Sequence, residues 1–147
     1  MFDITLSNEF VLGVEPGVTA VYGKFAVGEF SDMFIADLKT WDREQYERRW
    51  KLAVARIVNG ADVSALILSY VEPRFSLLVW LRPLYREGDK VYTQDHGICF
   101  DQSNDPFSTD HPWDFLPERK RINLQGERIV EWVTNVDSLR EFLRKSE

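Results

Sequence analysis

A chain of 147 residues, 44% hydrophobic and 14% aromatic, is sized and composed for one folded domain, 1–147, and not for a disordered segment. Its net charge of −6 disfavours nucleic acid as a partner, and its single cysteine excludes an internal disulfide. The longest apolar runs, 65–68 and 77–81, are far too short to cross a bilayer, so no membrane contact is expected.

The N-terminal MFDITLSNEF lacks the features of a secretory signal, and the lone cysteine suits a reducing compartment. A cytoplasmic protein is the expectation. Residues 19–30 and 32–38 are rich in β-branched and aromatic residues between glycines, which predicts antiparallel strands in the first forty residues. A helix over about 42–59 follows. Tyr46, Trp50, Ala53, Val54 and Ile57 recur at helical spacing and share one face. Asp42 and Gln45 form a capping-box pair at its start, and Gly60 stands where it should stop. The arginines of this helix suggest a nucleic-acid stripe, but acids flank them and the helix dipole already accounts for bases late in a helix.

Residues 62–70 read as a strand buried on both faces, and 75–85 as a second core strand after a turn at Glu72-Pro73-Arg74. Glu87-Gly88-Asp89 predicts a hairpin turn into 90–94, and 98–100 extend the sheet past a kink or bulge near Gly97. A long loop over 101–118 holds three of the six prolines. Residues 121–124 and 127–134 read as a hairpin, and Asp137 as the cap of a short C-terminal helix with Leu139, Phe142 and Leu143 on its apolar side. The expected fold is α+β: a mostly antiparallel sheet packed against one main helix, with a short C-terminal helix.

Chemistry concentrates in residues 95–115, which hold His96, His111, Cys99 and five aspartates. A structural zinc site needs four ligands, commonly in two close pairs, and the chain has only three Cys and His residues in all. Asp101, Ser103 and Asp105 copy the start of a calcium loop, yet Pro106 and Pro112 occupy the positions that demand Gly and Glu. No metal and no cofactor is expected. Cys99 lies between Ile98 and Phe100 in acidic surroundings, which raise a thiol's pKa and suit a packed residue better than a nucleophile. A small hydrolase pairing His96 or His111 with an aspartate stays open, because convergence in space cannot be read from spacing. So does a general protein-interaction domain.

The charge itself is uneven. Residues 1–42 carry a net −5 and residues 87–118 a net −7, while the remainder is positive. Acids steer a basic partner and aromatics anchor it, which marks Asp101, Asp105, Asp110, Trp113 and Asp114 as a candidate partner-binding set. Trp113 and Phe115 can equally serve to tack the loop to the core.

The blocks WDREQYERRWKLA (41–53), NGADVSALILSY (59–70), PLYREGDKVY (83–92) and PWDFLPER (112–119), in this order and spacing, resemble immunity proteins of bacterial contact-dependent growth inhibition (CDI) systems, the CdiI-type antitoxins. The resemblance implies a non-enzymatic cytoplasmic antidote. Its partner would be the C-terminal toxin domain of a surface-displayed effector, often a nuclease with a basic surface. It supplies no catalytic residues, and it implies that the shared blocks are framework.

Overall fold

The computed structural model describes residues 1–12, 19–71, 78–94, 96–99, 108–116 and 118–145, with only the backbone described at 78 and 96–99. The class is α+β, as expected, and all strand pairing is antiparallel. The strands divide into two sheets where one was expected. β1 (Phe2–Phe10), β2 (Ala20–Val27) and β3 (Phe30–Asp37) form a three-stranded meander. The second sheet has the order β4 (Val63–Ser69), β5 (Leu78–Glu87), β6 (Lys90–Gln94) and β8 (Glu131–Asn135), with β7 (His96–Cys99) also on β5.

Helix α1 (Arg43–Val58) begins with both halves of the capping box: Asp42 accepts from the Gln45 amide at 2.8 Å, and the Gln45 side chain accepts from the Asp42 amide at 2.9 Å. Its buried residues are Tyr46, Trp50, Ala53, Val54 and Ile57, the face that periodicity assigns. This face is tied to β4 by two buried bonds. Trp50 Nε1 donates to the Ile67 carbonyl at 2.7 Å, and Ser64 Oγ donates to the Ala53 carbonyl at 2.8 Å. One apolar cluster then joins everything. It takes Phe2, Phe25 and Val27 from the first sheet, Leu66, Leu81, Leu84 and Val91 from the second, and Leu139 and Phe142 from α2 (Val136–Lys145).

Three local features differ from the sequence reading. The cap of α2 is Asn135, whose Oδ1 accepts from the Ser138 amide at 2.8 Å, while Asp137 sits inside the first turn and pairs with Arg140. The 121–134 hairpin is reduced to an isolated bridge, Ile122 to Arg128, because β8 pairs with β6 instead. Gly97 pairs in regular register with Trp80, so no bulge falls there. Tyr85 faces Tyr92 and Leu81 faces His96, so four residues on one strand span four on the other. Pro83 lies between these two paired stretches and has no N–H to give, and Thr93 Oγ1 donates to its carbonyl at 2.7 Å. A bulge does occur in β4. Ile67 faces Leu81 and Ser69 faces Trp80, leaving Leu68 as the extra residue.

The β2–β3 turn explains how the sheets approach. Gly28 has φ +58°, and a Cβ placed on it would lie 2.5 Å from the Val133 carbonyl of β8. Beside it, Phe30 stacks on Trp132 with ring centroids 3.7 Å apart. Gly88, in the β5–β6 turn, has φ +61° and open space around it. Gly28→Ala is expected to cost about 2–3 kcal/mol, combining left-handed backbone strain with a clash that must displace β8. Gly88→Ala carries the strain alone and should cost about 1 kcal/mol. Thermal unfolding of the two variants side by side measures the difference.

Candidate functional site

Of the five residues singled out, Asp101 and Asp105 lie outside the described residues, as does the Glu72-Pro73-Arg74 turn. Asp110, Trp113 and Asp114 are described, and each already holds a partner within the chain. The segment containing them packs onto the surface of α1 and β4 through Pro112, which is buried at the start of a 3₁₀ turn (Pro112–Phe115). Arg49, on α1, donates through Nη1 to Asp110 Oδ1 at 2.8 Å and to the Thr109 carbonyl at 3.3 Å. Asp110 is nevertheless 76% exposed, so the pair is solvated and contributes at most about 1 kcal/mol. Trp113 is half-buried, with the Arg56 guanidinium 4.0 Å above its ring. Arg56 is itself oriented by its Nε bond to the Val63 carbonyl at 2.9 Å. Trp113 therefore fastens the loop to α1, the tacking role, and presents only part of its ring to solvent.

Asp114 Oδ2 lies 3.0 Å from His111 Nδ1, three residues earlier on the same turn. This is one His–Asp pair that a hydrolase could use; the side chain of His96, the other candidate, lies outside the described residues. Both side chains are exposed, and the His111 ring lies parallel to that of Phe115 with centroids 6.2 Å apart. The small hollow nearby, about 50 Å³, is lined by Thr109, Asp110, Pro112 and Trp113 together with α1 and β4 residues, and His111 does not reach it. Among the described residues, no three His, Cys, Asp or Glu side chains converge. No helix among the described residues is long and apolar enough to cross a membrane.

The far end of the loop is held by a second cluster that sequence reasoning missed. Arg119 grips Glu131 with two parallel bonds, Nε to Oε2 and Nη2 to Oε1, both 2.9 Å, and reaches Glu87 through Nη1 at 2.7 Å. Tyr92 lies beneath its guanidinium at 4.5 Å. Gln94 Nε2 donates to Glu131 Oε2 and to the Lys120 carbonyl, binding the loop end to β6. Burial alone would push the Glu131 carboxyl up. The bonds from Arg119 and Gln94, with the charges of Arg119 and Arg121, outweigh it and hold the group below its ordinary value. Arg119 is pushed up, chiefly by its bond to Glu131. The signal available in the sequence was the alternation Arg119, Arg121 against Glu87 and Glu131, but which strand carries each partner follows only from the β6–β8 pairing.

A third feature is apolar. Met33 and Ile35 of β3 are 60% and 49% exposed, and Trp80 of β5 is 52% exposed. Between them runs a groove of about 390 Å³ that also reaches Asp32, Phe34 and Leu68. Sequence reading placed these residues correctly in strands but had no means of seeing that two sheets leave them facing each other.

Known proteins resemble this chain along most of its length. A family model described as the CdiI N-terminal domain matches residues 36–142. Immunity protein CdiI of Enterobacter cloacae subsp. cloacae is 26% identical over 116 residues, covering 79% of each chain. A chain of the solved CdiA-CT/CdiI toxin and immunity complex from Enterobacter cloacae superposes with a TM-score of 0.87 at 25% identity. The match covers 99% of this chain and 98% of that one.

Proposed function

We propose, from the premise that the chain belongs to the CdiI N-terminal domain family, that it is an immunity protein which binds and neutralises the toxin domain of a CDI effector. The observation that carries this reading is the joint agreement of sequence and fold with the Enterobacter cloacae immunity protein and the toxin–immunity complex. The His111–Asp114 pair, with both side chains exposed to solvent, gives a catalytic reading no comparable support.

In finer terms, the protein acts in the cytoplasm as a stoichiometric inhibitor and not as a catalyst. Its partner is a toxin with a basic surface, such as a nuclease, and it needs neither cofactor nor nucleic acid. The excess of acid in residues 87–118 supplies long-range attraction, with Asp101, Asp105, Asp110 and Asp114 contributing charge. Exposed carboxylates steer even when each has a cation beside it, but Arg49 and Arg56 reduce the net field at Asp110 and Trp113. Trp113 belongs to the supporting surface of this set.

Co-expression with the toxin domain encoded beside this chain tests the reading, with rescue of growth and co-purification as the expected result. Association measured by stopped flow should slow about tenfold or more between low and high salt. An on-rate insensitive to ionic strength would remove the steering role while leaving inhibition intact.

A further inference from the structure

We infer that the outer edge of β3, from Ser31 to Ile35, is the slot in which the toxin docks an extended segment as an added strand. Apolar side chains of that segment would lie against Trp80, with a lysine or arginine beside Asp32. This rests on the proposed function and deepens it.

The backbone pattern carries the argument. Leu38 N donates to the Thr19 carbonyl at 2.8 Å, and the β2–β3 register continues from that pair through Ala36 to Val21 and Phe34 to Gly23. Even-numbered residues of β3 therefore turn their N–H and C=O toward β2, and odd-numbered residues turn theirs away from the sheet. At Asp37 the outward groups are satisfied: its amide donates to Ser69 Oγ at 3.2 Å, and its carbonyl accepts from Tyr46 Oη at 2.6 Å. At Met33 only the amide is satisfied, by the adjoining Asp32 carboxylate at 2.8 Å. Among the described residues, the outward groups of Ser31 and Ile35 and the Met33 carbonyl bond to no other backbone.

Such an edge invites another strand, and proteins ordinarily blunt it. Among the described residues, two other edges are treated so. The Arg43 guanidinium covers the Leu6 and Ser7 carbonyls of β1 at 3.0 and 2.6 Å, and β8 lies against Gly28 of the β2–β3 turn. The two sheets meet at Asp37 and Ser69, and the groove of about 390 Å³ lies along β3 beyond that point. One wall is the β3 edge and the other is Trp80. That arrangement gives main-chain bonds on one side and side-chain contact on the other, as an added strand requires.

Charge selects the occupant. Asp32 is half-exposed on the groove side, 3.7 Å from the deeply buried Arg82 guanidinium, and Glu29 is exposed in the adjoining turn. Lys24 faces Met33 across the strands, which places it on the opposite face of the sheet from Asp32. Among the described residues, the exposed charges on the edge strand and its turn are thus acidic, with Lys24 one strand further in, matching the basic partner of the proposed function and disfavouring a second copy of this acidic chain.

The test uses the full chain and the toxin domain encoded beside it. Hydrogen exchange at the Ser31 and Ile35 amides should slow about tenfold or more on complex formation. Met33→Asp with Trp80→Asp should weaken binding at least about tenfold. Ile35→Pro, which removes an outward N–H and no ladder bond, should do the same with little change in melting temperature. Unslowed exchange at these amides, or full affinity in both variants, overturns the slot while the immunity reading stands. If the variants do not fold, the exchange measurement on the native chain decides alone. Failure of the native chain to bind that toxin removes both readings. Concentration-dependent dimerisation that slows the same amides without toxin would assign the slot to a second copy and overturn it as the toxin's site.

Discussion

Trp50→Ala is expected to lower the unfolding free energy by about 4 kcal/mol, a large part of what a domain of this size possesses. Trp50 is 1% exposed at the meeting point of α1, β3 and β4, with Phe34 set edge-on at 6.0 Å and Tyr46 tilted against it at 5.9 Å. Alanine leaves a cavity in the cluster that both sheets share, and it leaves the Ile67 carbonyl without its indole donor. Trp50→Phe separates the two costs. It fills most of the volume and loses the bond, so about 1–2 kcal/mol should disappear. Urea denaturation followed by far-ultraviolet circular dichroism measures both. Equal losses in the two variants would mean that the hydrogen bond, and not packing, dominates.

Arg119→Ala should cost about 3 kcal/mol, because it strands Glu131 in a site only 17% exposed. The pH dependence identifies the cause. In the native protein Glu131 is held below its ordinary value, so the unfolded chain takes up the proton first. Its contribution is complete above about pH 4.5 and is lost as pH falls through the lower folded value. Without Arg119, only the Gln94 bond and the Arg121 charge oppose burial, so the lowering shrinks and the variant loses less stability at this group on acidification. Melting temperatures of native and variant protein should therefore converge as pH falls below about 4.5. Parallel curves would mean that Arg119 acts through packing on Tyr92 and not through charge.

How far the sequence sufficed depended on the distance over which each signal acts. Helix α1 was legible down to its cap and its five buried residues, because capping and periodicity operate within one or two turns. The hairpin at Gly88 was legible for the same reason. Partition of the strands into two sheets was not, since nothing local tells β8 to pair with β6 and not with the bridge at Ile122. Asn135 and Asp137 are both good caps, and only the point where β8 ends distinguishes them. The site suffered most. Asp110 reads as a recognition group and Trp113 as either an anchor or a tack, but their partners Arg49 and Arg56 stand about sixty residues away on a helix whose own acids and dipole already accounted for them. The groove at Met33 and Trp80 belongs to no segment of sequence at all, only to the approach of two sheets.

The alternation along β3 also bears on how such a protein can change. Phe30, Phe34 and Ala36 anchor the strand to the rings and helix behind it, while Ser31, Met33 and Ile35 look outward. Exchanging an outward side chain alters the surface and barely touches the fold, so these positions can diversify one substitution at a time. A single-residue insertion has the opposite character: it swaps the two sets and sends the anchors into solvent. Drift in specificity at this edge should therefore proceed by replacement, with strand length held constant.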